Sequence, residues 1–151
     1  EAFLTPLELQ GMDLFTDMNK GDCNHCHVLG STFSDFAFRN TGLDSIPVDE
    51  GRYIITWNPA DKGKFKTPSL RNIALTAPYM HDGRFQTLEE VVRHYSEGVQ
   101  ASPNLDPNLA KHTAVGLHLS PDDQSALVAF LKTLSEPVPE SSMPLSGRPN
   151  P

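Results

Sequence analysis

Apart from Cys23 and Cys26, the 151-residue chain contains no cysteine, so no disulfide framework can hold it together. A bridge between those two would close too short a loop to stabilise much. Nor is there an apolar run near the roughly 20 residues that a membrane-spanning helix requires, so no membrane span is expected. Basic residues are few: 12 Lys and Arg stand against 19 Asp and Glu, a formal charge of -7. That balance repels nucleic acid and anionic lipid and favours a basic or redox protein partner through long-range steering. Internal repeats are missing too. What remains is one domain with a hydrophobic content of 38%, enough for a modest core that a bound apolar group would enlarge.

Both cysteines lie in one pentapeptide, CNHCH, at residues 23–27. A C-x-x-C-H run is the attachment pattern of haem c: Cys23 and Cys26 would form thioethers to the porphyrin and His27 would ligate the iron. Two intervening residues let the chain curl over one edge of the ring, and the next histidine then reaches the iron from the proximal side. A structural zinc site would need further ligands drawn from His81, His94, His112 and His118, and a thioredoxin-type dithiol would need a βαβ setting that the sequence lacks. His27 is superfluous in either alternative. His25 is expected at the solvent edge. Because haem c is attached outside the cytoplasmic membrane, the chain is expected to be exported, hence periplasmic, or to be a piece of something longer.

Helices are expected at both ends. Thr5, Pro6 and Glu8 form a capping box with proline at the first helical position, followed by Leu7, Gly11, Leu14, Phe15 and Met18 at helical spacing. This helix is expected to run into Lys20-Gly21 and deliver the chain to Cys23. Ser120-Pro121-Asp122-Asp123 starts another, with Leu127, Phe130, Leu131 and Leu134 on one face. A third begins at Thr87, boxed by Glu90, carries Leu88, Val91, Val92 and Tyr95 as its buried stripe, and ends at Gly98. Residues 28–72 read as a long loop folded against something large and apolar, with a short β-prone stretch at Tyr53–Thr56. The fold class is mainly α: a cytochrome c fold over residues 1–135, with haem-wrapping loops and a proline-rich extended tail over 136–151.

Three stretches make the reading more specific. FAFRNTGLD at 36–44, FKTPSLRNIALTAPYMHDGRFQTLEEVVRHY at 65–95 and ALVAFLKTL at 126–134 resemble, in order, the C-terminal haem domain of bacterial dihaem cytochrome c peroxidases and MauG-like enzymes. The resemblance implies two facing haem domains, of which the C-terminal one transfers electrons and the N-terminal one, in the peroxidases, reacts with peroxide. In MauG-like members it implies a tyrosine as sixth iron ligand where the peroxidases have methionine, and oxidation of a protein substrate at a distance. Carried onto this chain, Cys23 and Cys26 match the thioether residues, His27 the proximal ligand and Tyr95 the sixth. Thr76 and Pro78 match backbone-carbonyl ligands of a calcium ion held between the domains. The chain departs from the family pattern in having one C-x-x-C-H, and the domain that would supply the calcium's side-chain ligand is missing from it.

Other residues keep more than one reading. Met80 could be the sixth ligand instead of Tyr95, since methionine is the usual partner of histidine in electron-transfer cytochromes, or it could simply pack beside the Asp82-Gly83 turn. Tyr95 without the resemblance is a core tyrosine. His81 is expected beside the iron ligands rather than among them, Arg71 and Arg84 against the haem propionates, and Trp57 against the haem edge. Two functions follow. The chain is the electron-transfer half of a MauG-like or peroxidase-like dihaem oxidoreductase, an enzyme only together with a second haem-bearing domain or subunit. Alternatively it is a stand-alone monohaem electron carrier, or a haem subunit of a larger respiratory complex.

Overall fold

The structure, a computed structural model, describes residues 3–30, 32–112 and 116–136. The expected tail, beyond Glu136, lies outside the described residues.

Two helices from opposite ends of the chain form its frame. Helix α1 spans Pro6–Thr16, and its start is the expected capping box: the Glu8 amide donates to Thr5 Oγ1 at 3.3 Å and the Thr5 amide to Glu8 Oε2 at 2.6 Å. It ends earlier than expected. The Asp17 amide closes the last turn on the Asp13 carbonyl, the chain leaves in a turn, and Met18 is 68% exposed instead of continuing the apolar stripe. A second turn, with the Asp22 amide on the Asp17 carbonyl at 2.9 Å, carries the chain to Cys23.

Downstream, α2 is the single turn Tyr53–Thr56, α3 runs from Leu88 to Arg93, α4 is the turn Pro107–Ala110, and α5 spans Pro121–Thr133. Helix α5 starts on Ser120, whose hydroxyl accepts from the Asp123 amide at 3.1 Å. It packs on α1 through the glycine of that helix: a Cβ on Gly11 would collide with the Ala126 carbonyl and with Phe130. Beside this contact Phe15 and Phe130 meet edge to face, ring centroids 5.3 Å apart. Leu14, Leu88, Val92, Leu127 and Leu131 complete a core shared by α1, α3 and α5.

Between α1 and α3 the described backbone is mostly irregular. The sheet is one antiparallel pair of two-residue strands, β1 (Phe38–Arg39) and β2 (Phe65–Lys66), with Phe38 opposite Lys66. Tyr53–Thr56, expected as β-prone, is instead α2. Among the described residues no strand lies beside it; the Thr56 amide returns to the Arg52 carbonyl and the Trp57 amide to Tyr53, with Trp57 in the left-handed region closing the turn. Local closure of hydrogen bonds outweighs β-propensity where no ladder is available.

Helix α3 has the expected Thr87–Glu90 capping box and, as expected, the helical backbone stops at Gly98. Its last turn, His94–Gly98, is wound as a π-helix.

Candidate haem-binding site

The CNHCH segment is held from both sides. Asp22, buried and in the left-handed region at φ 47°, starts a 3₁₀ turn over Cys23–His25 and receives Lys111 Nζ on its carboxylate at 2.6 Å. The Cys26 and His27 amides both return to the Cys23 carbonyl, at 3.2 and 2.9 Å. This curl brings the two thiols onto one turn, and both cysteines are free. Burial, then the charges of Asp22 and Cys26, push the Cys23 thiol up to about 12. Burial likewise raises Cys26 to about 11, with Arg39 opposing and Asp106, Asp35 and Asp22 adding.

His27 is oriented by a hydrogen bond from Nδ1 to the Phe33 carbonyl at 2.9 Å. A carbonyl only accepts, so the proton sits on Nδ1. Burial lowers the pKa of the ring, which favours the neutral form that a metal needs.

Tyr95 comes from the π turn. Its ring is half-buried and sits 5.3 Å from that of His94, centroid to centroid. Burial pushes the phenol far up, and the charges of Cys26 and Cys23 push it further. A side-chain hydrogen bond from Thr41 acts in the opposite direction.

Met80 is partly buried and held at φ 71° between Tyr79, whose amide bonds the Phe85 carbonyl at 2.8 Å, and the Asp82-Gly83 turn. His81 is exposed and stacked flat on Phe65, ring centroids 3.7 Å apart. Arg84 is engaged by Asp44, Asp82 and the Leu43 carbonyl. Arg71, Thr76 and Pro78 are exposed, and Trp57, 75% exposed, packs edge-on against Tyr53.

One contributor escaped the sequence reading. Arg39 donates to Asp35 at 2.9 Å and to Asp106 at 2.6 Å, while the Asp35 amide bonds the Cys26 carbonyl at 2.8 Å. This cluster fixes the exit of the haem motif. The four-residue spacing of Asp35 and Arg39 was visible, but their pairing with Asp106 depends on the tertiary fold.

The donor set fits haem c: two unbridged thiols on one turn, followed by an imidazole whose neutral form burial favours. Among the described residues, no group of three or more His, Cys, Asp or Glu is arranged to hold a metal ion directly, which does not favour the zinc alternative.

Comparison with known proteins agrees. Residues 9–137 match the family described as di-haem cytochrome c peroxidase. The chain is 36% identical over 160 residues to the cytochrome-c peroxidase IdrP2 of Denitromonas iodatirespirans, covering 87% of this chain and 40% of that protein. It is 35% identical over 126 residues to the methylamine utilization protein MauG of Methylophilus methylotrophus, covering 83% and 36%. Among solved structures, a MauG-like protein associated with microbial copper homeostasis superposes with a TM-score of 0.78 at 38% identity, over 90% of this chain and 49% of that one. The diheme peroxidase BthA from Burkholderia thailandensis gives 0.74 at 26% identity, over 89% and 44%. The chain thus spans less than half the length of each of these relatives.

Proposed function

The chain belongs to the di-haem cytochrome c peroxidase family, and we propose that it is the electron-transfer haem domain of a MauG-like or peroxidase-like oxidoreductase whose other haem lies on a second domain or subunit. Haem c, once attached, supplies a one-electron iron couple. Cys23 and Cys26 would tether it, His27 would ligate its iron, and Tyr95 would offer its phenol oxygen as the sixth ligand. The carrying observation is the CNHCH turn, whose Cys26 and His27 amides both close on the Cys23 carbonyl while the Phe33 carbonyl orients the His27 ring. An anionic oxygen ligand stabilises the ferric state and lowers the potential, whereas Met80 in the same role would hold it high and suit an ordinary carrier.

The residues do the rest of the work. The Nδ1 hydrogen bond of His27 fixes the ring and strengthens Nε2 as a donor. The loops over 28–72 would cover the porphyrin, and Arg71 would be set against a propionate. Ile46, Val48, Ile54, Ile55 and Trp57, all well exposed, supply the kind of apolar surface that a lasting partner covers. The Thr76 and Pro78 carbonyls would join a calcium site only in that assembly. Export to the periplasm follows from haem c chemistry, and the negative charge suits a basic or redox donor protein.

The test is to isolate the assembly that contains this chain and count haems against polypeptide by native mass spectrometry, with Tyr95→Phe and Met80→Ala compared by ferric absorption spectra. Two haems and loss of a phenolate-to-iron band in Tyr95→Phe are expected. One haem, with loss of a sulfur-to-iron band in Met80→Ala, would make the chain a monohaem carrier.

A further inference from the structure

Lys111 and Asp22 stand 89 positions apart in the sequence, yet their side chains meet at 2.6 Å, Nζ to Oδ2. The two are unequally placed: the side chain of Asp22 is 6% exposed, that of Lys111 41%. Asp22 directly precedes Cys23 and sits in the left-handed region, its amide on the Asp17 carbonyl at 2.9 Å and its own carbonyl accepting the His25 amide at 3.3 Å. A buried carboxylate is thus fixed one residue from a thioether position. His25, the other basic side chain beside it among the described residues, brings Nδ1 only to 3.9 Å from Oδ1, too long for a hydrogen bond.

Lys111 is itself anchored. It follows α4, and its amide closes that turn on the Pro107 carbonyl at 3.0 Å. The N-cap of the same turn is Asp106, whose carboxylate accepts the Asn108 amide at 2.9 Å and Arg39 at 2.6 Å. Through Arg39 and Asp35 the cap is linked to the Cys26 carbonyl. The single turn α4 is therefore tied at its start to the exit of CNHCH and at its end to the entrance. The Lys111 ammonium also donates to the Met18 carbonyl at 3.4 Å, in the turn that leads to Asp22.

From this geometry we propose that Lys111 is a positioning residue acting through Asp22: it holds the carboxylate beside Cys23 and offsets its charge, and so keeps the midpoint potential of the haem iron above the value that the bare carboxylate would impose. The proposal rests on haem c at Cys23 and Cys26, as read above, and is independent of the sixth ligand. A charge shielded from water is screened little, so a lone negative charge beside the haem attachment point favours Fe(III) over Fe(II) and lowers the potential. The ammonium, in contact with the carboxylate, opposes that field. Without Lys111 the carboxylate stands alone. Without the Asp22 charge the ammonium stands alone, and the sign of the effect reverses.

The test is a spectroelectrochemical titration of the full chain with its haem attached, comparing Lys111→Met, Lys111→Arg, Asp22→Asn and the double variant Asp22→Asn with Lys111→Met against the parent. Lys111→Met should shift the midpoint downward and Asp22→Asn upward. Lys111→Arg, which keeps the charge, should match the parent, and the double variant should return close to it. Single variants that shift the midpoint in the same direction, or leave it unmoved, overturn the proposal, since a residue that merely braces the turn has no reason to give opposite signs. If Lys111→Met takes up no haem, Lys111→Gln carries the same expectation, and a parent-like midpoint in that variant overturns the proposal equally. A parent chain without covalent haem, read by its mass and its pyridine haemochrome spectrum, removes the haem reading, and this proposal with it.

Discussion

Gly11 rests directly on the backbone of Ala126, in a crossing with no room for a side chain. This contact fixes how near α1 can come to α5, and thus where the turn after α1 delivers Cys23. Gly11→Val should destabilise the haem-loaded chain by about 1–3 kcal/mol, because the helices must separate and the core must repack. Thermal or urea unfolding followed by circular dichroism measures this. An unchanged midpoint would mean that the helices are not in contact there.

Haem attachment should be required for folding. Between residues 28 and 72 the described regular structure amounts to one pair of two-residue strands, the single turn of α2 and one 3₁₀ turn, too little for a core of its own. Cys23→Ala with Cys26→Ala should give a chain without a cooperative thermal transition. A sharp melt with native-like circular dichroism would show that the protein folds without its porphyrin.

Separated from any second haem, the loaded chain should consume peroxide slowly. If His27 and Tyr95 both hold the iron, as proposed above, peroxide would find no open position until a ligand left. A peroxide electrode reading on the purified chain decides this, and fast consumption by the parent would show an open coordination site. Tyr95→Phe should consume peroxide faster than the parent.

Asp35 gives the acid limb of stability a specific source. Burial disfavours its charge, but hydrogen bonds from Arg39, the Ala37 amide and Thr67 outweigh burial and lower its pKa below the ordinary carboxylate value of about 3.9. Its folded-state pKa is thus the lower one, so its contribution is complete above the unfolded-state value and disappears as pH falls through the folded one. Asp35→Asn should cost about 1–3 kcal/mol at neutral pH, leaving Arg39 to Asp106 alone. The difference from the parent should close on acidification. Urea midpoints across pH 2–7 would show whether it does.

Much of this architecture was legible in the residues because the signals are local. Thr5 with Glu8, Thr87 with Glu90, and Ser120 each marked a helix start, since a side chain three residues from an orphan amide can satisfy it without any other element. CNHCH was equally legible, because the motif is itself the chemistry. What could not be read depends on distant partners. Tyr53–Thr56 has β-branched residues yet makes a helical turn, since no described strand lies beside it. Helical spacing linked Tyr95 to Leu88 and Val91 but could not reveal the π turn, whose displaced carbonyls require the 117–119 loop. Lys111 carried no signal, because its partner Asp22 lies 89 positions away in the sequence.

The contact of Phe15 with Phe130 joins helices that lie far apart in the sequence, so the frame cannot close until α5 has reached α1. Contacts of such separation carry a loop-closure cost that local ones do not, and they form slowly. The turn bearing Cys23 and Cys26 follows α1, so the place of the haem motif in the domain is settled by a helix with which it shares no local sequence.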